Sequence, residues 1–189
     1  MPTPPPKHYT HTAIALHWLI ALALVGTFCV GLYMTGLPFS PQRLKLYNGH
    51  KWAGVTILAL SIARLAWRLT HQPPAEVPMP PWQQRAAQWA HRALYVLFFA
   101  VPVAGWAYSS AAGFPIVVFG VLPLPSFGPT DKALAALIKP VHATLAYALA
   151  LVVLGHVAAA LKHHFVERDG LLTRMWPQRA WTSREPHTP

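Results

Sequence analysis

The chain has 189 residues, of which 54% are hydrophobic and 11% are charged, and its mean hydropathy is +0.34. The hydrophobic fraction and the mean hydropathy are high for a water-soluble protein, and the charged fraction is low, which favours a single membrane-embedded domain. Lysine and arginine outnumber the acids by 15 to 5. These cations lie between and beyond long apolar runs, which favours the lipid bilayer over nucleic acid as the partner. The single cysteine, Cys29, excludes an intrachain disulfide and a Cys-x-x-Cys-His haem tether.

Four apolar segments reach the roughly 20 residues that are needed to cross about 30 Å of hydrocarbon. They are residues 13–35, 50–69, 86–108 and 141–162. The first is too long for a signal peptide and has no cleavage site after it, so it is expected to stay in the protein. The sequence therefore predicts an all-α fold, an integral membrane four-helix bundle in one domain over residues 1–189. Prolines are expected to mark the helix boundaries.

The distribution of cations predicts the orientation of these spans. With both termini in the cytoplasm, ten cations lie inside and five outside, as the positive-inside rule requires. The inner ten are Lys7, Arg64, Arg68, Arg85, Arg92, Lys162, Arg168, Arg174, Arg179 and Arg184, and the outer five are Arg43, Lys45, Lys51, Lys132 and Lys139. Tryptophans near the span ends are expected to anchor the depth of the helices.

Five of the eleven histidines, His17, His50, His91, His142 and His156, lie within or at the ends of the spans. An ionisable group inside a span needs a partner in the bundle or a ligand. His142 and His156 are 14 residues apart, which is about 21 Å and almost four turns, so they share a helix face at opposite depths. His50 matches His142 in depth and His17 matches His156. The sequence thus predicts two cross-bundle pairs.

Each pair can bind a haem iron from both faces, as suits electron transfer rather than oxygen binding. A zinc site would need three or four ligands at one depth, usually with carboxylate or thiolate, and the spans offer neither. We therefore expect the bundle to enclose two noncovalently held b-type haems. One is bound by His17 and His156, and the other by His50 and His142.

Further residues are candidates for contacts with the haems. Arg64, 14 residues after His50, is expected to pair with a propionate of the inner haem, and Lys51 with one of the outer haem. Arg68 has two open roles, a propionate contact or contact with lipid headgroups. His91 has no ligating partner at its depth and is expected to hydrogen-bond a propionate or another helix.

Two other segments lie beyond the spans. His163 and His164, at the exit of the fourth span, are assigned interfacial or propionate-contacting roles. The apolar residues 114–125 are too short and too rich in proline to span the membrane. They are expected either to cover a haem or quinone at the outer end or simply to pack there. Of the other histidines, His8, His11, His71 and His187 are expected at the surface.

With these residues in place, the sequence resembles the bacterial cytochrome b561 family over nearly the whole chain. The resemblance lies in short motifs along the spans and in one long stretch near the C-terminus. The motifs are Leu16-His17-Trp18, Gly49-His50-Lys51, Arg64 with Arg68, Ala112-Gly113-Phe114-Pro115, and the stretch from His156 through Ala158-Ala159-Ala160-Leu161-Lys162-His163-His164-Phe165 to Arg168-Asp169-Gly170 and Arg174-Met175. It implies a four-helix dihaem protein of the bacterial inner membrane, with the same four histidines as haem ligands.

The resemblance also implies a reaction, because the best-understood type in this family is similar to a superoxide oxidase that reduces ubiquinone in the bilayer. The five outer cations face one acid, Asp131, so the outer surface is expected to be electropositive and to attract a small anion such as superoxide. Contact with lipid phosphates or propionates is the other interpretation of these cations. No catalytic side chain is predicted, since electron transfer between haems needs no acid or base.

Two other functions are open to this sequence. The chain can be a cytochrome b subunit that docks a hydrogenase or another respiratory dehydrogenase, although its outer loops are short. It can also be a small transporter or channel with histidines along a polar path, although intramembrane carboxylates are nearly absent. The sequence does not identify a protein partner.

Overall fold

The computed structural model describes residues 8–176, so Lys7, Arg179, Arg184 and His187 lie outside the described residues. Four long helices dominate this part of the chain. They are α1 (His11–Thr35), α2 (Pro41–Thr70), α3 (Pro81–Ala111) and α4 (Lys132–Lys162). A π-helical turn, His163–Glu167, continues α4 and is followed by a 3₁₀ turn, Leu172–Met175. The α3–α4 connection contains two short antiparallel strands, β1 (Val117–Val118) and β2 (Leu122–Pro123).

All four helices are long and apolar enough to cross a bilayer. The mean hydropathy of their most apolar windows lies between 1.3 and 2.2. Many of their large apolar side chains point outward, and Leu22 and Leu151 are 69% and 71% exposed. An apolar surface of this extent is suited to lipid rather than water. The predicted membrane four-helix architecture is confirmed.

The helices begin earlier than the apolar spans. Residues 41–48, which look like a polar connection, form the first turns of α2. Pro41 occupies the first helical position, where its missing N–H costs nothing, and the Ser40 hydroxyl accepts the Arg43 N–H at 3.2 Å. Pro81 likewise occupies the first position of α3, where no side chain caps the helix.

Two prolines lie inside helices, so the expectation that prolines mark the helix boundaries is wrong at these positions. Pro102 is within α3, and Pro140 is within α4. Each removes one backbone N–H from the helical ladder, which a long membrane helix supported by neighbouring helices tolerates. As a result α4 already begins at Lys132, where the Asp131 carboxylate caps it.

The helices form two antiparallel pairs. α1 packs along α2, α3 packs along α4, and α2 joins the pairs by contacting α3. We call the end with the α1–α2 and α3–α4 connections the loop end, and the opposite end, where α1 begins and α4 finishes, the terminal end. Between the two ends Leu94, Leu97 and Leu149 form a buried apolar cluster, with Leu24 packed against it.

Tryptophan side chains attach the connections and the C-terminal segment to the helices. Four indole N–H groups donate across the fold: Trp18 to the Met175 carbonyl at 2.7 Å, Trp52 to the Val117 carbonyl at 2.7 Å, Trp67 to the Thr10 hydroxyl at 2.9 Å and Trp106 to the Pro125 carbonyl at 3.0 Å. The apolar residues 114–125 are thereby held against α2 and α3 at the loop end. These tryptophans thus link segments of the chain, in addition to the depth anchoring expected from sequence.

Candidate functional site

The pair nearer the loop end consists of His50 on α2 and His142 on α4. Their ring centroids are 6.2 Å apart and their planes are 87° apart. The Nδ1 of His50 lies 3.1 Å from the Thr27 carbonyl oxygen, and the Nδ1 of His142 lies 3.0 Å from that of Val101. Because a carbonyl oxygen only accepts, each Nδ1 carries the proton and each Nε2 has a free lone pair. This arrangement is typical of metal-ligating imidazoles.

The second pair lies toward the terminal end and consists of His17 on α1 and His156 on α4. Their ring centroids are 6.3 Å apart, with an angle of 60° between the planes. His91, on α3, lies beside this pair, and its ring centroid is 5.5 Å from that of His156. One helix, α4, therefore contributes a histidine to each pair, as the 14-residue spacing predicted.

The spacing of the rings tests whether each pair fits a haem. With a metal–nitrogen bond of about 2.0 Å and about 1.1 Å from nitrogen to ring centre, two axial imidazoles have centroids roughly 6.2 Å apart. Both pairs match this separation. His91 and His156 are closer together, so His91 suits a neighbouring role better than axial ligation.

The cations proposed as propionate partners lie next to these pairs. Arg64 donates to the Ala13 carbonyl at 3.2 Å and lies close enough to interact electrostatically with His17 and His156. Its guanidinium has five N–H donors in total and can make further contacts. Lys51 lies at the other end, where its Nζ is 3.4 Å from the Phe114 carbonyl oxygen. Arg64 therefore lies beside the His17–His156 pair, and Lys51 lies at the end of the His50–His142 pair.

Two glycines allow the rings of the loop-end pair to approach the neighbouring helices. A Cβ at Gly31 would lie 3.1 Å from the Cε1 of His50, and one at Gly105 would lie 3.0 Å from that of His142. Both contacts are tighter than ordinary van der Waals packing. Sequence reasoning missed this role, because a membrane glycine usually indicates only close helix packing.

We expect Gly105→Ala to displace the His142 ring and to destabilise the folded, cofactor-loaded protein. The added methyl group overpacks the site, which typically costs about 1–3 kcal/mol. Gly155→Ala is the matched control on α4, since a Cβ there meets nothing within 4 Å. Thermal unfolding in detergent, followed through the haem absorption, should show a lower midpoint for Gly105→Ala only. Equal midpoints would contradict the proposed contact.

The outer cations of the sequence analysis gather at the loop end. Lys45 and His50 line the same cavity of about 530 Å³ between α1 and α2, whose other walls are mainly small and apolar. The Arg43 guanidinium stacks over the Tyr47 ring, 5.4 Å from its centroid. Lys132 is exposed at the start of α4, and Lys139 is exposed two turns later.

The acid at this end, Asp131, caps a helix. One carboxylate oxygen of Asp131 accepts the backbone N–H groups of Ala133 and Leu134 at 2.9 and 3.0 Å. It is therefore used as the N-terminal cap of α4. With five cations and one acid, the loop end has a net positive charge.

The terminal end holds a group that sequence reasoning missed. His163, for which an interfacial or propionate-contacting role is expected, is buried and faces the carboxylates of Glu167 and Asp169. Burial raises the pKa of Asp169, but hydrogen bonds from the Leu171 N–H and from His163 outweigh it, so the pKa lies below its usual value. The only signal in the sequence is that two of its five acids follow His163 within six residues.

The segment after this cluster crosses the terminal end. The Met175 carbonyl accepts from Trp18, whose ring also packs against Trp176, and Arg174 donates to the Ala75 carbonyl at 2.5 Å. These contacts join α1, the α2–α3 connection and the end of α4. These contacts give a structural role to Arg174 and Met175, which end the C-terminal stretch that carries the family resemblance.

Comparison with known proteins finds similarity over almost the entire chain. The model of the prokaryotic cytochrome b561 family matches residues 8–178. Cytochrome b561 homolog 2 of Escherichia coli (strain K12) is 34% identical over 172 residues, covering 90% of this chain and 92% of that protein. Cytochrome b561 homolog 1 of the same organism is 33% identical over 180 residues, covering 92% and 99%. The probable superoxide oxidase CybB of Yersinia pestis is 31% identical over 176 residues, covering 92% and 98%.

The match includes all four helices and both histidine pairs. Proteins of this family transfer electrons in membranes, and the family implies b-type haem as the cofactor. The chain therefore belongs to the prokaryotic cytochrome b561 family.

Proposed function

We propose that this protein is a dihaem superoxide:ubiquinone oxidoreductase of the bacterial inner membrane, with both termini in the cytoplasm. Two superoxide anions each give up one electron at the loop end and become O₂. Ubiquinone in the bilayer takes up these two electrons together with two protons and becomes ubiquinol. The ten-to-five distribution of cations supports the orientation.

The observation that carries this proposal is the positive charge beside His50 and His142. Lys51 directly follows His50, and Lys45 shares a cavity with it. The Asp131 carboxylate nearby is engaged in capping α4. A one-signed cluster of charges concentrates small anions and raises their rate of encounter. The name of the Yersinia pestis relative, a probable superoxide oxidase, supports the same substrate.

The histidine pairs would hold the two haems, His50 with His142 and His17 with His156. Bound b-type haem supplies reversible one-electron oxidation and reduction. The hydrogen bonds from Nδ1 to the Thr27 and Val101 carbonyls orient the two imidazoles nearer the loop end and increase the basicity of Nε2.

Other residues support these pairs from both sides. The buried cluster of Leu94, Leu97 and Leu149 keeps water out of the bundle between them. Arg64 near the terminal end and Lys51 at the loop end would neutralise propionates. His91 would contact a propionate next to the His17–His156 pair.

Rapid mixing of the purified protein with superoxide tests the proposal. We expect the haem absorption to show reduction faster than spontaneous dismutation, and one ubiquinol to form for every two superoxide anions when a short-chain ubiquinone is added. Superoxide dismutase should abolish both signals. Reduction no faster than dismutation would contradict the proposal. Reduction only by a copurified dehydrogenase would support the alternative of an electron-transfer subunit for a hydrogenase or another respiratory dehydrogenase.

A further inference from the structure

We infer that His163, Glu167 and Asp169 form a binding site for a divalent transition-metal ion of the zinc type. This site lies at the terminal end of the bundle, where α4 finishes. It is separate from the four histidines assigned to haem and does not depend on the proposed superoxide chemistry.

The contacts around the His163 ring favour a cation. Its Nδ1 lies 2.5 Å from Oε2 of Glu167 and 2.6 Å from Oδ2 of Asp169. An imidazole nitrogen carries at most one proton, so Nδ1 cannot donate a linear hydrogen bond to both carboxylates. A metal ion can bind the nitrogen lone pair and both oxygens together. Metal–ligand bonds of about 2.0–2.2 Å separate tetrahedral ligand atoms by roughly 3.3–3.5 Å, so each contact would widen by about 1 Å or less.

Each carboxylate uses one oxygen for support and turns the other toward His163. Oε1 of Glu167 accepts from Lys162 at 2.6 Å, which leaves Oε2 at the cluster. Oδ1 of Asp169 accepts the Leu171 N–H at 3.0 Å, which leaves Oδ2 there. Such supporting hydrogen bonds orient the ligands in metal sites.

The backbone brings these residues together after the regular helix has ended. The π-helical turn places Glu167 beside His163, and Arg168 adopts a left-handed conformation with φ of 54°. The chain therefore reverses between Glu167 and Asp169, and both side chains reach the same nitrogen. π-Helical turns of this kind occur frequently at functional sites.

A fourth ligand is available from another helix. Gln83, in the first turn of α3, donates from Nε2 to Oε1 of Glu167 at 3.3 Å. Its own Oε1 is buried and has no hydrogen-bond partner among the residues that the structure describes. The two ends of a glutamine amide exchange by a half-turn of the terminal torsion. That rotation would place the unpaired oxygen where Nε2 now lies, beside the Glu167 carboxylate.

The donor set selects the class of ion. One imidazole nitrogen with carboxylate and amide oxygens suits Zn²⁺ and related transition metals, whereas Ca²⁺ and Mg²⁺ prefer oxygen ligands alone. The chain has only five acids against 15 lysines and arginines, yet two of the five converge here. Lys162 pairs with only one of them. A divalent ion would neutralise both carboxylates and tie the end of α4 to the start of α3.

Zinc binding to the purified, haem-loaded protein tests this inference. After removal of metal with EDTA, dialysis against micromolar Zn²⁺ should leave one zinc per chain by elemental analysis. Glu167→Gln and Asp169→Asn, which keep the shape of the side chains, should weaken zinc binding at least about tenfold. Gln83→Ala should weaken it as well. His164→Ala is the matched control, because its exposed ring lies outside the cluster, and it should bind zinc like the wild type.

Haem content, measured in parallel, shows whether each variant is folded and separates this site from the haem ligands. Zinc absorption spectroscopy on the wild type provides a second readout that needs no variant. It should show one imidazole and otherwise oxygen ligands at about 2.0 Å. Wild-type protein that retains no zinc, or Glu167→Gln and Asp169→Asn variants that bind it as tightly as the wild type, would overturn the inference.

Discussion

Replacing His156 with alanine is expected to remove one haem of two and to leave the other in place. His156 supplies one of the two imidazoles of the terminal-end pair, and His17 alone cannot fill both axial positions. The other pair lies 14 residues away along α4, beyond the buried cluster around Leu149. The loss should therefore be local. Haem b per chain, measured by the pyridine haemochrome method, should fall from about two to about one.

The matched controls for this variant lie on the same helix. His142→Ala should remove the other haem, while His164→Ala, with an exposed ring beyond α4, should keep both. Retention of both haems in His156→Ala would contradict the assignment of the pairs. Replacement of His91 should lower the haem count less than replacement of His156, because the His91 ring does not match the axial spacing.

Removing positive charge from the loop end is expected to slow the reaction with superoxide. Lys132 and Lys139 are exposed on the first turns of α4, near the His50–His142 pair. Electrostatic steering by such charges raises association rates by about 10- to 1,000-fold. The double variant Lys132→Gln/Lys139→Gln should therefore lower the rate of haem reduction by superoxide by roughly three- to tenfold at low ionic strength. The difference should disappear at about 1 M salt, where charges are screened within about 3 Å.

Arg85→Gln/Arg92→Gln is the matched control for these charges. It removes the same number of exposed cations from α3 toward the terminal end. Its rate should equal that of the wild type at every salt concentration. An equal loss of rate in both double variants would show that net charge matters and that the position of the charge does not.

The histidine pairs could be predicted from sequence because α4 is a regular helix between them. A spacing of 14 residues gives nearly whole turns, and this phase persists from His142 to His156 in the structure. Pro140 lies just before this stretch and does not disturb it. Depth matching across the bundle then identified His50 and His17.

The features that sequence missed depend on local backbone geometry or on distant contacts. A hydropathy pattern shows which residues are apolar enough to lie in lipid, and it does not show where a helix begins. The first turns of α2 and α4 precede the apolar spans, so in the sequence they looked like connections. The π-helical turn brings Glu167 to His163 and the reversal at Arg168 brings Asp169 there, and neither has a signature in a hydropathy pattern. Gly105 lies on α3 and its neighbour His142 lies on α4. The relative position of two packed helices cannot be calculated from the sequence of either helix alone.

The central claim is that the two histidine pairs each bind a haem through both axial positions. Electron paramagnetic resonance of the oxidised wild-type protein, with spins counted per chain, tests this most directly. Two haems that each have two axial histidine ligands should give two low-spin ferric signals of equal intensity. A single low-spin signal, or a high-spin signal that accounts for one of the haems, would contradict the account.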